Sequence, residues 1–170
     1  MTGSRMIHLM DIRDRDLLRR WALDGGTGSM TRWSWIIVTH AGGALVTIAS
    51  VLIPLLLPPW ARAITLRAAA ALVVSHLLVQ FLKRHVSRAR PPLRALVRCP
   101  DCYSFPSGHA TAALAVSLSY AFAFPSVAVP LVSFGMLVGW SRVVLGVHYP
   151  GDVLVGQIIA VLTVGVAGLI

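Results

Sequence analysis

Residues 106–125 read PSGHATAALAVSLSYAFAFP: a helix-start motif carrying a histidine, then an apolar run that ends at a proline. No charged residue interrupts Ala110 to Pro125, so the segment from Ser107 to about Phe124 is read as a helix crossing the hydrocarbon core, which takes roughly 20 apolar residues. Working outward, four more spans have the same character. They run from about Trp35 to Leu57, stopped by Pro58 and Pro59; from about Ile64 to Leu82; from about Ser126 to Leu145; and from about Val153 to Ile170. Arg67 lies one turn inside the second of these in chain order, where a long side chain can snorkel to the interface.

Composition agrees. Of 170 residues, 56% are hydrophobic and only 12% charged, too apolar for a soluble domain and far from the polar make-up of a disordered chain. A soluble nucleic-acid binder shares the net charge of +9 but not a mean hydropathy of +0.77, so no nucleic-acid partner is expected. The predicted fold is all-α: a polytopic membrane helix bundle of about five transmembrane helices plus an N-terminal amphipathic interfacial helix. Residues 1–32 form the interfacial segment and 33–170 the membrane-embedded part. In the former, Met6, Met10, Leu17 and Trp21 recur at helical spacing among Arg13, Arg15, Arg19 and Arg20, as in a helix lying flat on lipid. Gly25, Gly26 and Gly28 make a joint before the first span.

Five spans with short connections put the N-terminal segment, the Lys83–Phe105 loop and the Val147–Asp152 turn on one membrane face. That face holds Arg5, Arg13, Arg15, Arg19, Arg20 and Arg32, then Lys83, Arg84, Arg88, Arg90, Arg94 and Arg98, while the other has Arg62 and Arg67. The positive-inside rule makes the charged face cytoplasmic, in a multi-pass protein of the plasma membrane.

Three polar islands meet at that face. Lys83 to Arg90-Pro91 supplies cations that are costly near hydrocarbon unless they meet an anion, and phosphate suits a forked guanidinium and a mobile ammonium. In Pro106-Ser107-Gly108-His109 the proline sets up a helix start, Ser107 and Gly108 are expected to offer unpaired backbone N–H groups to an anion, and His109 can reach an oxygen on it. Ser141-Arg142 adds another cation. His148 and Asp152, four residues apart, share a face if a helix starts near Pro150; the carboxylate then orients one ring nitrogen and leaves the other free to attack or take a proton.

These islands resemble the signatures of the type 2 phosphatidic acid phosphatase superfamily: Lys-x6-Arg-Pro at Lys83 to Pro91, Pro-Ser-Gly-His at Pro106 to His109, and Ser-Arg-x5-His-x3-Asp from Ser141 to Asp152, without a mismatch. The resemblance covers about Lys83 to Asp152. It implies metal-independent dephosphorylation of a lipid with no cofactor: His148 as the nucleophile that becomes phosphohistidine, Asp152 orienting it, and His109 protonating the leaving oxygen. Lys83, Arg90, Ser107, Gly108 and Arg142 would hold the phosphoryl oxygens. It also accounts for Lys83, the only lysine in the chain, since that signature position calls for lysine. Bacterial membrane members look like six-span proteins with their catalytic loops outside; five spans and the charge count turn this site toward the cytoplasm instead.

The expected substrate is a lipid phosphate: a polyprenyl-linked phosphate or diphosphate, a polyprenyl-phosphoryl sugar phosphate, phosphatidylglycerophosphate or phosphatidate. A lipid phosphotransferase and a non-catalytic lipid-phosphate binder or transporter remain alternatives, and oligomeric state is open. Cys99 and Cys102, in Cys-Pro-Asp-Cys, are half of a zinc site, a redox pair, a loop staple or two free thiols. His76 and Gln80, one turn apart, are read as bonding each other or a neighbouring helix, and His40 likewise; Gly135 and Gly139 read as helix-packing positions. Arg84, His85 and Arg88, within the variable stretch of the first signature, are read as headgroup contacts.

Overall fold

The computed structural model describes residues 2–56, 58–93, 95–97, 99 and 101–168, with side chains from Asp11 onward except that of Trp60. The side chains of Arg5, Met6 and Met10, together with Leu57, Arg94, Arg98 and Ile170, lie outside the described residues. The chain is helical in the order α1 (Thr2–Trp21), α2 (Ser29–Ala41), α3 (Ala44–Leu52), α4 (Pro59–Val86), α5 (Gly108–Ala123), α6 (Ala128–Val144) and α7 (Pro150–Ala167). Short 3-10 turns at Ile53–Leu56 and Pro125–Val127 follow α3 and precede α6.

The bundle is built around α5, which packs against α3, α4, α6 and α7. Its small residues explain this place: Ala110, Ala113, Ala115 and Ala121 are buried and let neighbouring backbones approach. The neighbours reciprocate with glycine. A Cβ on Gly135 of α6 would stand 2.9 Å from the Leu114 Cα, and one on Gly156 of α7 would stand 2.8 Å from both the Ser107 carbonyl and the Thr111 hydroxyl. Gly135 and Gly139 are therefore packing positions, as their spacing predicts.

Outward-facing side chains are apolar, among them Leu45, Leu66, Leu77, Val129, Leu154 and Leu162, as a surface against lipid requires and one against water does not. Four segments are long and apolar enough to cross a membrane: Ser29–Leu56, Ala61–Val86, Pro125–Val144 and Pro150–Ala167. The central helix α5, with 16 residues, is too short to count among these four. The chain is a helical membrane protein.

One expectation needs correction. The first span starts at Ser29 and is not one helix: α2 ends at Ala41 and α3 begins at Ala44. Gly42 lies directly against the Val138 side chain, which leaves no space for a Cβ, and Gly43 is extended at φ −73°, ψ 171°. Close helix approach thus required two poor helix formers in succession, and the helix breaks there. In α1, the side turned to the bundle carries Asp11, Asp14 and Leu18, which leaves Trp21 of the apolar stripe partly exposed, as a helix at the lipid interface requires. Leu18 is buried with Ala110, Val143, Tyr149 and Val153, while Trp21 is partly exposed against Trp140. The face is chosen by cationic and apolar partners in the bundle, which a lipid-facing stripe cannot anticipate.

Candidate active site

The site forms where α4 and α6 end and α5 and α7 begin. At the end of α4, Ser87 adopts a left-handed conformation (φ 47°, ψ 35°) with its N–H donating to the Lys83 carbonyl, which stops the helix and turns the chain. The following residues run extended; Ala89 pairs antiparallel with Tyr103, and the Ser104 N–H donates to the Arg88 carbonyl at 2.8 Å. This pairing folds the loop back so that Asp101 reaches Lys83.

Lys83 is buried and donates to the Tyr103 carbonyl at 2.9 Å and to Asp101 Oδ1 at 3.2 Å. Arg90 donates to Asp101 Oδ1 and, at 2.8 Å, to the Val147 carbonyl, and its Nη1 lies 3.3 Å from His148 Nε2. A guanidinium can only donate, so this contact makes Nε2 the acceptor and leaves the ring proton on Nδ1. Nδ1 faces Asp152 Oδ2 at 3.6 Å, longer than a hydrogen bond, and is buried without a hydrogen-bond partner. The expected face-sharing of His148 and Asp152 holds because α7 does start at Pro150. There, Asp152 Oδ2 also accepts the Tyr149 N–H at 2.9 Å, closing a capping box.

Burial, then the Arg142 and Arg90 charges, push the His148 pKa down from 6.5 to about 4 against the opposing pull of Asp152. The ring is therefore neutral near pH 7, with its Nε2 lone pair turned toward the cations. Arg142 is buried as well; one Nη donates to the Thr39 hydroxyl at 2.6 Å while its Nε has no partner.

Ser107 caps α5 with its Oγ fully buried and unpaired. One expectation fails here: the Ser107 N–H is not free but donates to the Asp152 carbonyl at 3.0 Å, because the Gly156 contact presses α7 onto this terminus. Gly108, the first helical residue, has an N–H for which the helix supplies no acceptor. Gly108 and His109 line a cavity of about 400 Å³ together with Lys83 and Asp101. The helix break sits beside it, since a Cβ on Gly43 would come 3.7 Å from His109 Nε2.

Of the eight residues singled out in the sequence, Lys83, Gly108 and His109 line this cavity; Arg90 meets His148 and shares Asp101 with Lys83, His148 faces Asp152, the Ser107 N–H is bonded to the Asp152 carbonyl, and Arg142 is buried against Thr39. The superfamily model described as PAP2 superfamily matches residues 64–169. The chain belongs to this superfamily. Curated relatives include the decaprenylphosphoryl-5-phosphoribose phosphatase of Mycobacterium tuberculosis, 41% identical over 96 residues, or 52% of this chain and 51% of that one. The undecaprenyl-diphosphatase of Bacillus subtilis is 48% identical over 59 residues, 35% of this chain and 31% of that one. The chain thus spans about half or less of these relatives' length. Among solved structures, the PAP2-type phosphatidylglycerolphosphate phosphatase of Bacillus subtilis superposes with a TM-score of 0.80 at 23% identity, covering 94% of this chain and 85% of that one, a likeness of fold.

Sequence reasoning missed two residues of this PAP2 site. Asp101, hidden between the cysteines of Cys-Pro-Asp-Cys, lies on both Lys83 and Arg90. Burial works against its charge, but Arg90 and Lys83 outweigh that and hold its pKa below the usual carboxylate range. Arg88 touches Asp152 instead of a headgroup. The flanking Cys99 and Cys102 are free thiols, half-buried and exposed respectively. Among the described residues, no cluster of three or more His, Cys, Asp or Glu side chains could hold a metal ion. Among the described residues, His76 and Gln80 bond neither each other nor a neighbouring helix; both instead line the cavity that Lys83 also lines. His40 instead bonds the Ile36 carbonyl of its own helix at 2.7 Å.

Proposed function

We propose that the protein is a membrane lipid phosphatase that works through a phosphohistidine. One observation carries the reading: His148 Nε2 lies 3.3 Å from Arg90, Arg90 and Lys83 share Asp101, and Lys83 and Asp101 line a cavity between α3, α4 and α5 whose walls include the exposed Ile48, Val73 and Leu77. A phosphate at the polar end leaves its lipid chain toward the bilayer.

In the proposed reaction the Nε2 lone pair attacks phosphorus as the P–O bond to the lipid breaks, and His109 gives its proton to the leaving oxygen. The three cations, with the Ser107 hydroxyl and Gly108 amide, take up the charge of the transition state. Water, deprotonated by His109, then attacks phosphorus, the P–N bond breaks, and inorganic phosphate leaves. His148 keeps its Nδ1 proton throughout, directed at Asp152.

The relatives named above act on polyprenyl-linked phosphates by their names, and such a lipid monophosphate or diphosphate is the substrate class we favour. Phosphatidylglycerophosphate is the second candidate, from the phosphatase that shares the fold. The arginine-rich N-terminal helix and the Lys83–Phe105 loop support a plasma-membrane protein whose active site faces the cytoplasm. The test is phosphate release by the purified chain in chelator from a panel of polyprenyl phosphates, polyprenyl diphosphates, phosphatidate and phosphatidylglycerophosphate. Release from at least one, abolished in His148→Ala, is expected; no release from any, with binding retained in His148→Ala, would instead make it a lipid-phosphate binder.

A further inference from the structure

We propose that Arg88 and Asp14 are positioning residues for the His148–Asp152 pair, so that helix α1 is a working part of the active site; this rests on the roles given to His148 and Asp152 above. Neither residue belongs to a superfamily signature.

Asp152 is fully buried, and its two oxygens are held from opposite sides. Oδ2 takes the Tyr149 N–H and faces His148; Oδ1 takes Arg88 Nη1 at 2.7 Å. Arg88 is the only side chain among the described residues that bonds this second oxygen, and without it a buried carboxylate oxygen would have no side-chain donor and freedom to turn away from the imidazole.

Arg88 is fixed in turn. Its Nη2 donates to Asp11 at 2.7 Å and its Nη1 to Asp14 at 2.9 Å, both on α1, and its guanidinium carbon lies 4.1 Å from the Tyr149 ring centroid. Burial works against its charge, yet Asp152, Asp11 and Asp14 outweigh that and hold its pKa above the ordinary guanidinium value. Asp14 also grips the turn directly, accepting the Gly151 N–H at 2.8 Å on its other oxygen. The fit is close, since a Cβ on Gly151 would stand 2.7 Å from the Asp14 carboxylate. Below these contacts Leu18 inserts against Tyr149 and Val153. Every polar contact of α1 with the bundle named here falls on Arg88 or the Tyr149–Asp152 turn.

The consequence is a division of charge across His148. In front stand Lys83, Arg90 and Arg142 with Asp101; behind stand the carboxylates of Asp152, Asp14 and Asp11 around one arginine. The front binds the anion, and the back supports the positive charge that the ring develops as Nε2 bonds phosphorus. Arg88 contacts none of the phosphate-side groups, so its loss should act on turnover and on the proton affinity of His148, not on substrate affinity.

The test measures kcat, KM and the acidic limb of kcat/KM for Arg88→Gln, Arg88→Lys and Asp14→Asn in the full chain, beside His148→Ala. Removing the Arg88 charge leaves Asp152 to favour the imidazolium, so Arg88→Gln should lower kcat roughly 10- to 100-fold, the range of a charge-assisted hydrogen bond, and move the limb to higher pH with KM unchanged within about twofold. Arg88→Lys should restore the limb and part of kcat. Asp14→Asn removes a negative charge and should move the limb the other way. An Arg88→Gln enzyme with wild-type turnover, or one with raised KM and an unmoved limb, overturns the proposal. If Arg88→Gln does not fold, the Asp14→Asn limb decides, and an unmoved limb counts against it. Undiminished turnover in His148→Ala would sink the underlying functional reading instead, whatever Arg88 does.

Discussion

The Asp101 carboxylate lies 3.1 Å from Lys83 Nζ, in the place where a substrate phosphate would meet that lysine. It also takes the Arg90 guanidinium, so one acidic side chain occupies two of the three cations. A phosphate must displace it or share with it. Asp101→Asn should therefore lower KM for a lipid phosphate, while Lys83→Met raises it. Because the Asp101 side chain is 39% exposed, the competition is screened and the change should be a few-fold only. Steady-state kinetics at fixed ionic strength checks this; a raised KM in Asp101→Asn would mean that the carboxylate instead holds a substrate hydroxyl.

His109 and His148 should fail differently. His148→Ala removes the proposed nucleophile and should lose at least about a thousandfold in turnover with any substrate. His109→Gln keeps the nucleophile but not the proton donor. With an aryl phosphate, whose leaving group needs no proton, it should form the phosphoenzyme and then stall, since water activation also needs His109. Acid-labile radiolabelled protein that accumulates in His109→Gln and is absent in His148→Ala is the expected pattern.

The grouping of these two histidines with the cations and Asp152 was legible in the sequence from three matching signatures, and the roles proposed for them rest on how phosphoryl transfer restricts residue type and spacing. The membrane spans were readable for a similar reason, as hydrocarbon demands length and apolarity. What escaped reading depends on partners distant in the chain. The break at Gly42–Gly43 is set by Val138 of α6, and nothing near Gly42 announces that contact. Arg88 and Arg84 look alike in the sequence; only the docking of α1 and the turn into α7 gives Arg88 its carboxylates. Asp101 was overshadowed by its cysteine neighbours, though an acidic residue in a loop this basic was itself a signal.

Stability should fall with acid through His148. Its pKa is about 4 in the folded protein, held there by burial first and by Arg142 and Arg90, against an ordinary 6.5. Between these values the unfolded chain binds a proton that the folded one does not, so stability is fully present above about 6.5 and is lost as pH falls toward 4. The contribution is about 3 kcal/mol at most, from 1.36 kcal/mol per unit. His148→Gln should show a flatter dependence of Tm on pH over this window in detergent. Parallel curves for the two proteins would contradict the assignment.

Gly156 tests how the packing of α7 serves the site. A methyl group there meets the Ser107 carbonyl and Thr111 hydroxyl at 2.8 Å, and the first of these is backbone that cannot swing aside. Gly156→Ala must push α7 from α5, at a cost of roughly 1–3 kcal/mol. The same shift stretches the bond from the Ser107 N–H to the Asp152 carbonyl, now 3.0 Å, and with it the alignment of Asp152 and His148. Gly165→Ala on the same helix, where nothing lies within 4 Å of the added carbon, is the control and should leave both Tm and kcat near wild type. The expected result is a lowered Tm together with a lowered kcat in Gly156→Ala. A lowered Tm with full turnover would mean that α7 can move without carrying Asp152, and that the site is held from the α1 side alone.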